Sequence, residues 1–215
     1  QRAEALDVEH ALGDIRRRLL AAETDAGDIL VSSDPADVAR ADRIVLPGDG
    51  AFPACRQALG RYGGLFDAIE QAVTDDGRPF LGICVGMQMM ATWGREYADT
   101  RGFDWIGGEV THITPKDPLL KVPHMGWNTI QIKQDAPIFK DTAEGSYVYF
   151  VHSYYCSADN QDDVAASCRY GEIEFCAAIW RDNLMATQFH PEKSHRFGMR
   201  LLDAWVRRSG EGRPA

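Results

Sequence analysis

The sequence has few cysteines, no long apolar run and no excess of positive charge. Its five cysteines are odd in number and show no CxxC spacing, which argues against a disulfide framework and against a zinc site. No apolar stretch approaches the roughly 20 residues of a transmembrane helix, and the start of the chain has no signal-peptide pattern. We therefore expect a cytoplasmic protein with free thiols that needs no metal and no cofactor.

The composition is that of a globular protein. The 215 residues carry a net charge of −9, which argues against nucleic acid or an anionic membrane surface as the main partner. Hydrophobic residues make up 45% of the chain and charged residues 26%, enough for a substantial core. Repeats and low-complexity segments are absent from the sequence.

The first half of the chain alternates strand and helix patterns. Strands are predicted at residues 28–32, 43–46 and 80–83, and helices at residues 65–73 and 87–93, from short apolar runs and helical periodicity. Such alternation is typical of a parallel sheet flanked by helices.

The second half changes to strands separated by turns and ends in an amphipathic helix, residues 194–208. The predicted strands are residues 109–114, 128–133, 147–154, 164–170, 175–180 and 184–189, with a hairpin turn at residues 181–183. The prediction is therefore an α/β fold, an open mostly parallel sheet flanked by helices with an antiparallel extension. Residues 209–215 are expected to form a disordered tail.

Cys84 stands between two glycines where the strand at residues 80–83 gives way to a helix, in the sequence Gly82-Ile83-Cys84-Val85-Gly86. This G-x-nucleophile-x-G pattern indicates a nucleophile elbow, a turn so tight that flanking side chains would collide. A helix N-terminus favours a thiolate, and the N–H of Val85 would face an oxyanion formed on a carbonyl attacked by Cys84. The alternative is a packed core cysteine.

A nucleophilic thiol needs a base and a group that orients the base. His190 and Glu192 follow the last predicted strand on either side of Pro191. Alternate residues of an extended chain point to the same side, so the two side chains can lie close together. Alone, these residues fit a surface turn equally well; with Cys84, they predict a Cys-His-Glu triad.

A glycine-containing loop follows another strand, in the sequence Pro47-Gly48-Asp49-Gly50. Its peptide units can turn to present N–H groups because glycine is conformationally permissive. The loop is either an ordinary strand-ending turn or a second wall of an oxyanion hole.

These motifs resemble the class I, triad-type glutamine amidotransferases, and more narrowly the glutaminase subunits of imidazole glycerol phosphate synthases, from histidine biosynthesis. The resemblance runs from about residue 33 to residue 205. It rests on motifs that occur in the family's order: RIVLPGDGAF, PFLGICVGMQMM, DWIGG, KVPHMGWN, YFVHSY and TQFHPEKS.

The resemblance implies a flavodoxin-like fold and a role for each motif. Cys84 attacks the side-chain amide of glutamine, His190 transfers the proton and Glu192 orients His190, through a γ-glutamyl thioester. The implied oxyanion-hole residues are Gly48, Asp49, Gly50 and Val85, where the family typically has a bulkier apolar residue in place of Asp49. The implied substrate-binding residues are Gln88, Glu96, His152, Ser153 and Tyr154.

The resemblance also implies a partner, a (β/α)8-barrel cyclase that uses the ammonia to make imidazole glycerol phosphate and AICAR. The docking residues implied for a heterodimer are His124, Met125, Gly126, Trp127, Asn128 and Lys193, with Trp127 near the mouth of the ammonia path.

The N-terminus departs from the family pattern. Family members begin with an apolar strand and the motif D-Y-x-S-G-N-L, whereas residues 1–15 here are polar and helical in pattern. We therefore expect residues 1–32 to form an atypical segment of the same domain, residues 33–208 to form the amidotransferase domain, and coupling to the cyclase to be less secure than the triad. The alternatives are another triad amidotransferase or a γ-glutamyl hydrolase, and a docking subunit without turnover.

Overall fold

A computed structural model describes residues 29–61, 63–140 and 145–208 of the chain. The N-terminal segment that was expected to be atypical lies almost entirely outside these residues, as does the predicted tail, so the division into domains stays a prediction. Residues 29–34, where part of a strand was expected, have neither helix nor strand. Instead, Ser32 Oγ accepts a bond from the Asp34 N–H (3.0 Å) and the Asp34 carboxylate caps the next helix at Ala36 N (2.8 Å), because short polar side chains compete with strand pairing.

The main sheet has seven strands in the order β1-β2-β11-β10-β9-β6-β7. They are β1 (Ile44–Gly48), β2 (Phe80–Cys84), β6 (His124–Ile132), β7 (Tyr147–His152), β9 (Val164–Tyr170), β10 (Ile173–Arg181) and β11 (Leu184–Thr187). The first three in spatial order run parallel, and the other pairs are antiparallel. Every residue of β2 and β11 is buried, as expected for the parallel centre of a sheet covered on both faces.

A smaller sheet of four strands has the order β4-β3-β5-β8. Its strands are β3 (Ala91–Gly94), β4 (Thr100–Arg101), β5 (Ile106–His112) and β8 (Tyr154–Ala158). The α/β fold with an antiparallel extension is as predicted. Within the described residues, the antiparallel pairs outnumber the parallel ones, so the extension is larger than "mostly parallel" suggests.

The helices cover the sheets and support the strand ends. They are α1 (Pro35–Arg40), α2 (Phe52–Arg61), α3 (Leu65–Glu70), which continues as a π-helical turn (Gln71–Asp75), α4 (Val85–Gln88) and α5 (His195–Arg208). No helix within the described ranges has the length and apolar character needed to cross a membrane.

The predicted helix at residues 87–93 is wrong. Helix α4 ends at Gln88, and Ala91 already belongs to β3, where it pairs with Ile106. The carbonyls of Met89 and Met90 accept hydrogen bonds from N–H groups of residues 103–106 instead of continuing a helix. A segment that is apolar on every side gives no periodic signal that would distinguish a helix from a strand.

Candidate active site

Cys84 lies at the junction of β2 and α4 in a strained backbone conformation. Its φ is 55° and its ψ −111°, a region that residues with a Cβ seldom occupy. A Cβ on Gly82 would lie 2.7 Å from the Gly86 carbonyl oxygen, and a Cβ on Gly86 would overlap the Leu46 carbonyl oxygen of β1. The glycines on either side of Cys84 are therefore required by close backbone approach.

The predicted base and its orienting carboxylate lie together in the interior. His190 Nδ1 is 2.7 Å from Glu192 Oε1, and both side chains are buried. The backbone of His190 is held at both groups: its N–H donates to the Tyr149 carbonyl (2.9 Å), and its carbonyl accepts from Ser194 Oγ (2.7 Å). The 3-10 turn Pro191–Lys193 begins at this point, so the pair is built on a fixed backbone.

His190 is electrostatically coupled to Cys84. Burial lowers the pKa of His190, but hydrogen bonding and charge from Cys84 and Glu192 outweigh it, and the pKa is raised to about 10. No group among the described residues completes a well-formed hydrogen bond with His190 Nε2, the nitrogen not used by Glu192. Catalytic hydrogen bonds are often poorly aligned before a substrate binds. The three predicted triad residues are thus near one another, with the imidazole poised as a cation beside the sulfur.

The other four thiols have a different environment. Burial raises the pKa of Cys55, Cys156 and Cys168 to about 12, and raises that of Cys176 well above its usual range. All five cysteines are free, as expected, and burial disfavours the thiolate form of these four.

The loop after β1 packs directly against the elbow. A Cβ on Gly48 would lie 2.7 Å from the Gly86 nitrogen, so the loop and the first turn of α4 form two adjacent walls. The Gly50 N–H donates to Asp49 Oδ1 (2.8 Å), and the Asp49 carbonyl accepts from the Cys55 thiol (3.4 Å). The Asp49 carboxylate thus accepts a hydrogen bond from the Gly50 N–H, a group that was expected to face an oxyanion.

The predicted substrate-binding residues are held by hydrogen bonds within the protein. Gln88 and Glu96 are buried, and the charge of Glu96 acts on Tyr154. Glu96 Oε2 also accepts the Phe52 N–H (2.8 Å), which fixes the start of α2. The Ser153 carbonyl accepts from Ile113 N (2.8 Å), so this group is engaged within the protein.

The side-chain nitrogen of Gln88 is fully engaged. It donates to the Tyr154 carbonyl (2.9 Å) and to Gln188 Oε1 (3.0 Å). The Gln88 side-chain oxygen is therefore the atom that would accept a bond from an ammonium group of a substrate.

The docking residues predicted on β6 separate onto two faces. Met125 and Trp127 are 62% and 45% exposed, whereas His124 is buried and Asn128 is half-buried, as strand alternation requires. The side chain of His124 is therefore not part of the exposed face.

Three further residues beside Trp127 were missed from the sequence. Tyr147 is 63% exposed, His195 stacks on Trp127 with ring centroids 4.8 Å apart, and Tyr149 meets Trp127 edge-on at 5.9 Å and lies under the predicted Lys193 ammonium. Antiparallel pairing of β7 with β6 places Tyr149 opposite Trp127, which no local pattern indicates. We call Met125, Trp127, Tyr147, Tyr149, Lys193 and His195 the aromatic face.

Gln188 was also missed, although its signal was present. It is fully buried, and its Nε2 lies 3.6 Å from Cys84 Sγ. Gln188 stands two residues before His190, and in an extended chain such residues point to the same side.

The sequence of this chain is similar to those of known proteins. The family model described as glutamine amidotransferase class-I matches residues 13–207. A protein of Cereibacter sphaeroides named imidazole glycerol phosphate synthase subunit HisH is 57% identical over 183 residues, which cover 85% of this chain and 86% of the relative. A protein of the same name from Mesorhizobium japonicum is 43% identical over 209 residues, covering 93% and 96%.

Two solved structures resemble the fold. A crystal structure of a glutamine amidotransferase aligns with a TM-score of 0.67 at 14% identity, covering 92% of this chain and 93% of that one. The glutaminase domain of Trypanosoma brucei CTPS with bound acivicin aligns with a TM-score of 0.63 at 15% identity, covering 96% and 91%. At such identities the likeness concerns the fold, and it confirms the predicted α/β class.

Proposed function

The chain belongs to the class-I glutamine amidotransferases, and from this premise we propose that it is the glutaminase subunit of an imidazole glycerol phosphate synthase in histidine biosynthesis. The observation that carries the proposal is the strained Cys84 beside the buried His190–Glu192 pair. The high identity to proteins named as this subunit supports the choice of pathway.

The first half of the reaction transfers the γ-glutamyl group to Cys84. The sulfur attacks the side-chain carbonyl carbon of glutamine, and the negative charge moves to the oxygen, beside the Val85 N–H at the start of α4. The carbon–nitrogen bond then breaks as the His190 imidazolium gives its Nε2 proton to the amide nitrogen, which leaves as ammonia. Glu192 stabilises the cationic imidazole through Nδ1.

The second half releases glutamate. Water attacks the thioester carbon while neutral His190 takes one of its protons, and the sulfur leaves as the thiolate. The free sulfur of Cys84 and the imidazolium of His190 are thereby restored for the next glutamine. Gln88, Glu96 and the segment His152–Tyr154 hold the amino-acid end of the substrate in this scheme. The Gly50 N–H has to leave the Asp49 carboxylate before it can help to bind the oxyanion.

The relatives' name describes a subunit, and the aromatic face is the surface that we assign to the partner. Trp and Tyr with an adjacent cation are residue types enriched where protein interfaces bind most strongly. The partner that we propose is a (β/α)8-barrel cyclase that receives ammonia and forms imidazole glycerol phosphate and AICAR, and we assign Trp127 to the mouth of the ammonia path. The five free thiols fit the expected cytoplasmic location.

A partner-dependent glutaminase assay tests the proposal. Glutamate release should rise strongly when the barrel cyclase and its nucleotide ligand are added, and it should vanish in Cys84→Ala. Cys168→Ala, at a buried thiol of β9, three strands away from β2 in the sheet order, is the matched control and should retain turnover. Glutamate release that persists in Cys84→Ala would exclude the triad mechanism, and release without any response to the cyclase would exclude the assigned partner.

A further inference from the structure

A continuous hydrogen-bonded chain joins β6, the strand that carries the aromatic face, to the sulfur of Cys84. It runs through buried side chains and one backbone carbonyl. In order, its members are Asn128, His124, His152, the Tyr154 carbonyl, Gln88, Gln188 and Cys84.

The Tyr154 carbonyl sets the direction of the arm that leads to β6. A carbonyl can only accept, so His152 Nδ1, at 2.8 Å, must donate to it. Burial lowers the pKa of His152 to about 3, so the ring is neutral and its Nε2 is an acceptor. His124 Nδ1, at 3.1 Å, therefore donates to His152.

His124 and Asn128, at the end of this arm, are oriented in the same way. Burial lowers the pKa of His124 to about 4, so its Nε2 is unprotonated and accepts from Asn128 Nδ2 at 3.2 Å. The Asn128 amide is oriented independently, because its oxygen accepts the Thr129 N–H (2.8 Å) and its nitrogen also donates to the Arg169 carbonyl (3.0 Å). Every tautomer in this arm is thus determined.

The second arm leads from the same carbonyl to the nucleophile. Gln88 must present its NH2 group to the Tyr154 carbonyl, and the same nitrogen donates to Gln188 Oε1. The Gln188 oxygen is then the acceptor, so its Nε2 faces Cys84 Sγ at 3.6 Å. An N–H donor directed at sulfur stabilises a thiolate more than a thiol.

We propose that Gln188 is a further catalytic residue, which donates a hydrogen bond to the Cys84 thiolate, and that His124 and His152 are positioning residues that hold it there through the Tyr154 carbonyl and Gln88. The inference rests on the proposed function, since it assigns residues to the same nucleophile. It explains why a strand with Met125 and Trp127 outward carries a neutral histidine inward, in contact with a second one.

Alkylation of Cys84 by iodoacetamide, followed by mass spectrometry across a pH series, reads out this hydrogen bond directly. In Gln188→Met, which keeps the length of the side chain but removes the donor, the pH midpoint of alkylation should rise by about one unit. Gln188→Glu keeps the shape but adds a negative charge, so its midpoint should rise further. Gln131→Met, the same change at an exposed glutamine of β6, is the matched control and should keep the wild-type midpoint.

The histidine arm is tested by a pair of variants at His124. Asn presents a donor nitrogen at the position of Nδ1, so His124→Asn should keep the midpoint, whereas His124→Leu, which leaves His152 Nε2 without its donor, should raise it. Among the described residues, His190 and Cys55 interact electrostatically with Cys84, and none of these variants replaces either residue.

Two results would overturn the inference. An unchanged midpoint in folded Gln188→Met and Gln188→Glu would remove Gln188 from the mechanism. Equal midpoints for His124→Leu and His124→Asn would remove the positioning role. Alkylation requires neither glutamine nor the cyclase, so a chain with the expected midpoints but without glutamate release would contradict the proposed function and leave this inference standing.

Discussion

Glu192 Oε1 lies 2.7 Å from His190 Nδ1, and the carboxylate is almost completely buried, with 1% of its surface exposed. A carboxylate is costly to bury unless it is paired. The pair therefore stabilises a cationic imidazole in the interior, where water cannot solvate it, and in the proposed mechanism the cation is the form that protonates the departing amide nitrogen.

Glu192→Gln should make glutaminase activity decline at a lower pH on the alkaline side of its pH profile. The carboxylate helps to raise the pKa of His190 to about 10, and a neutral amide supplies less stabilisation to the cation. We expect the alkaline limb of kcat/KM to move to lower pH by about one unit and kcat to fall about a hundredfold, measured by glutamate release. Glu172→Gln, at an exposed glutamate, should leave both unchanged, and an unmoved limb in Glu192→Gln would contradict the coupling.

Gly86→Ala should destabilise the fold because the new Cβ would overlap the Leu46 carbonyl oxygen. Backbone atoms cannot move aside as a flexible side chain can, so we expect a loss of about 3 kcal/mol in the free energy of unfolding, measured with urea. Gly63→Ala has no atom within 4 Å of its added Cβ and should stay within about 0.5 kcal/mol of wild type. Equal stabilities would mean that β1 and the elbow can separate.

Acid should destabilise the protein through its two buried neutral histidines. Burial lowers the pKa of His124 to about 4 and that of His152 to about 3, against about 6.5 in an unfolded chain. Below pH 6.5 the unfolded state therefore binds protons that the folded state does not. The free energy of unfolding should decrease as the pH falls from 6.5 through the two folded-state pKa values. The urea midpoint should drop over this range, less steeply in His124→Asn, and with the wild-type slope in the exposed control His112→Asn.

Trp127→Ala should weaken binding of the cyclase. The indole is 45% exposed and is held by His195 and Tyr149, so it is ordered before binding. We expect a loss of about 2 kcal/mol, or about thirtyfold in Kd, measured by calorimetry. Leu30→Ala removes an exposed apolar side chain. Leu30 comes shortly before β1, at the other end of the sheet from β6 and β7, so this variant should keep the wild-type affinity. Equal affinities for both variants would place the interface elsewhere.

Local sequence patterns predicted most of the strands. Residues 164–170 were expected as a strand and form β9, and the expected strands at 80–83 and 175–180 lie within β2 and β10. Apolar runs bounded by turn residues carry this information locally. The hairpin turn also appeared where Asp182, with φ of 52°, joins β10 to β11.

Prediction failed where tertiary partners replaced local ones. The segment after Gln88 leaves the helix because backbone groups of residues 103–106 pair with it, and neither its apolar character nor its propensity reveals that pairing. Tyr149 and His195 reach Trp127 only through strand pairing and the turn before α5. Contacts between residues distant in sequence have no periodic signature.

The reactive groups of the site can be identified from local sequence, because a cysteine between two glycines forms the elbow and a histidine and a glutamate two residues apart form the pair. The groups that surround them depend on tertiary contacts. The Tyr154 carbonyl orients His152 on one side and Gln88 on the other, and it thereby directs Gln188 at the Cys84 sulfur. Hydrogen-bond direction depends on which donors and acceptors meet in the folded interior, and here the ends of β2, β7, β8 and β11 have to come together first.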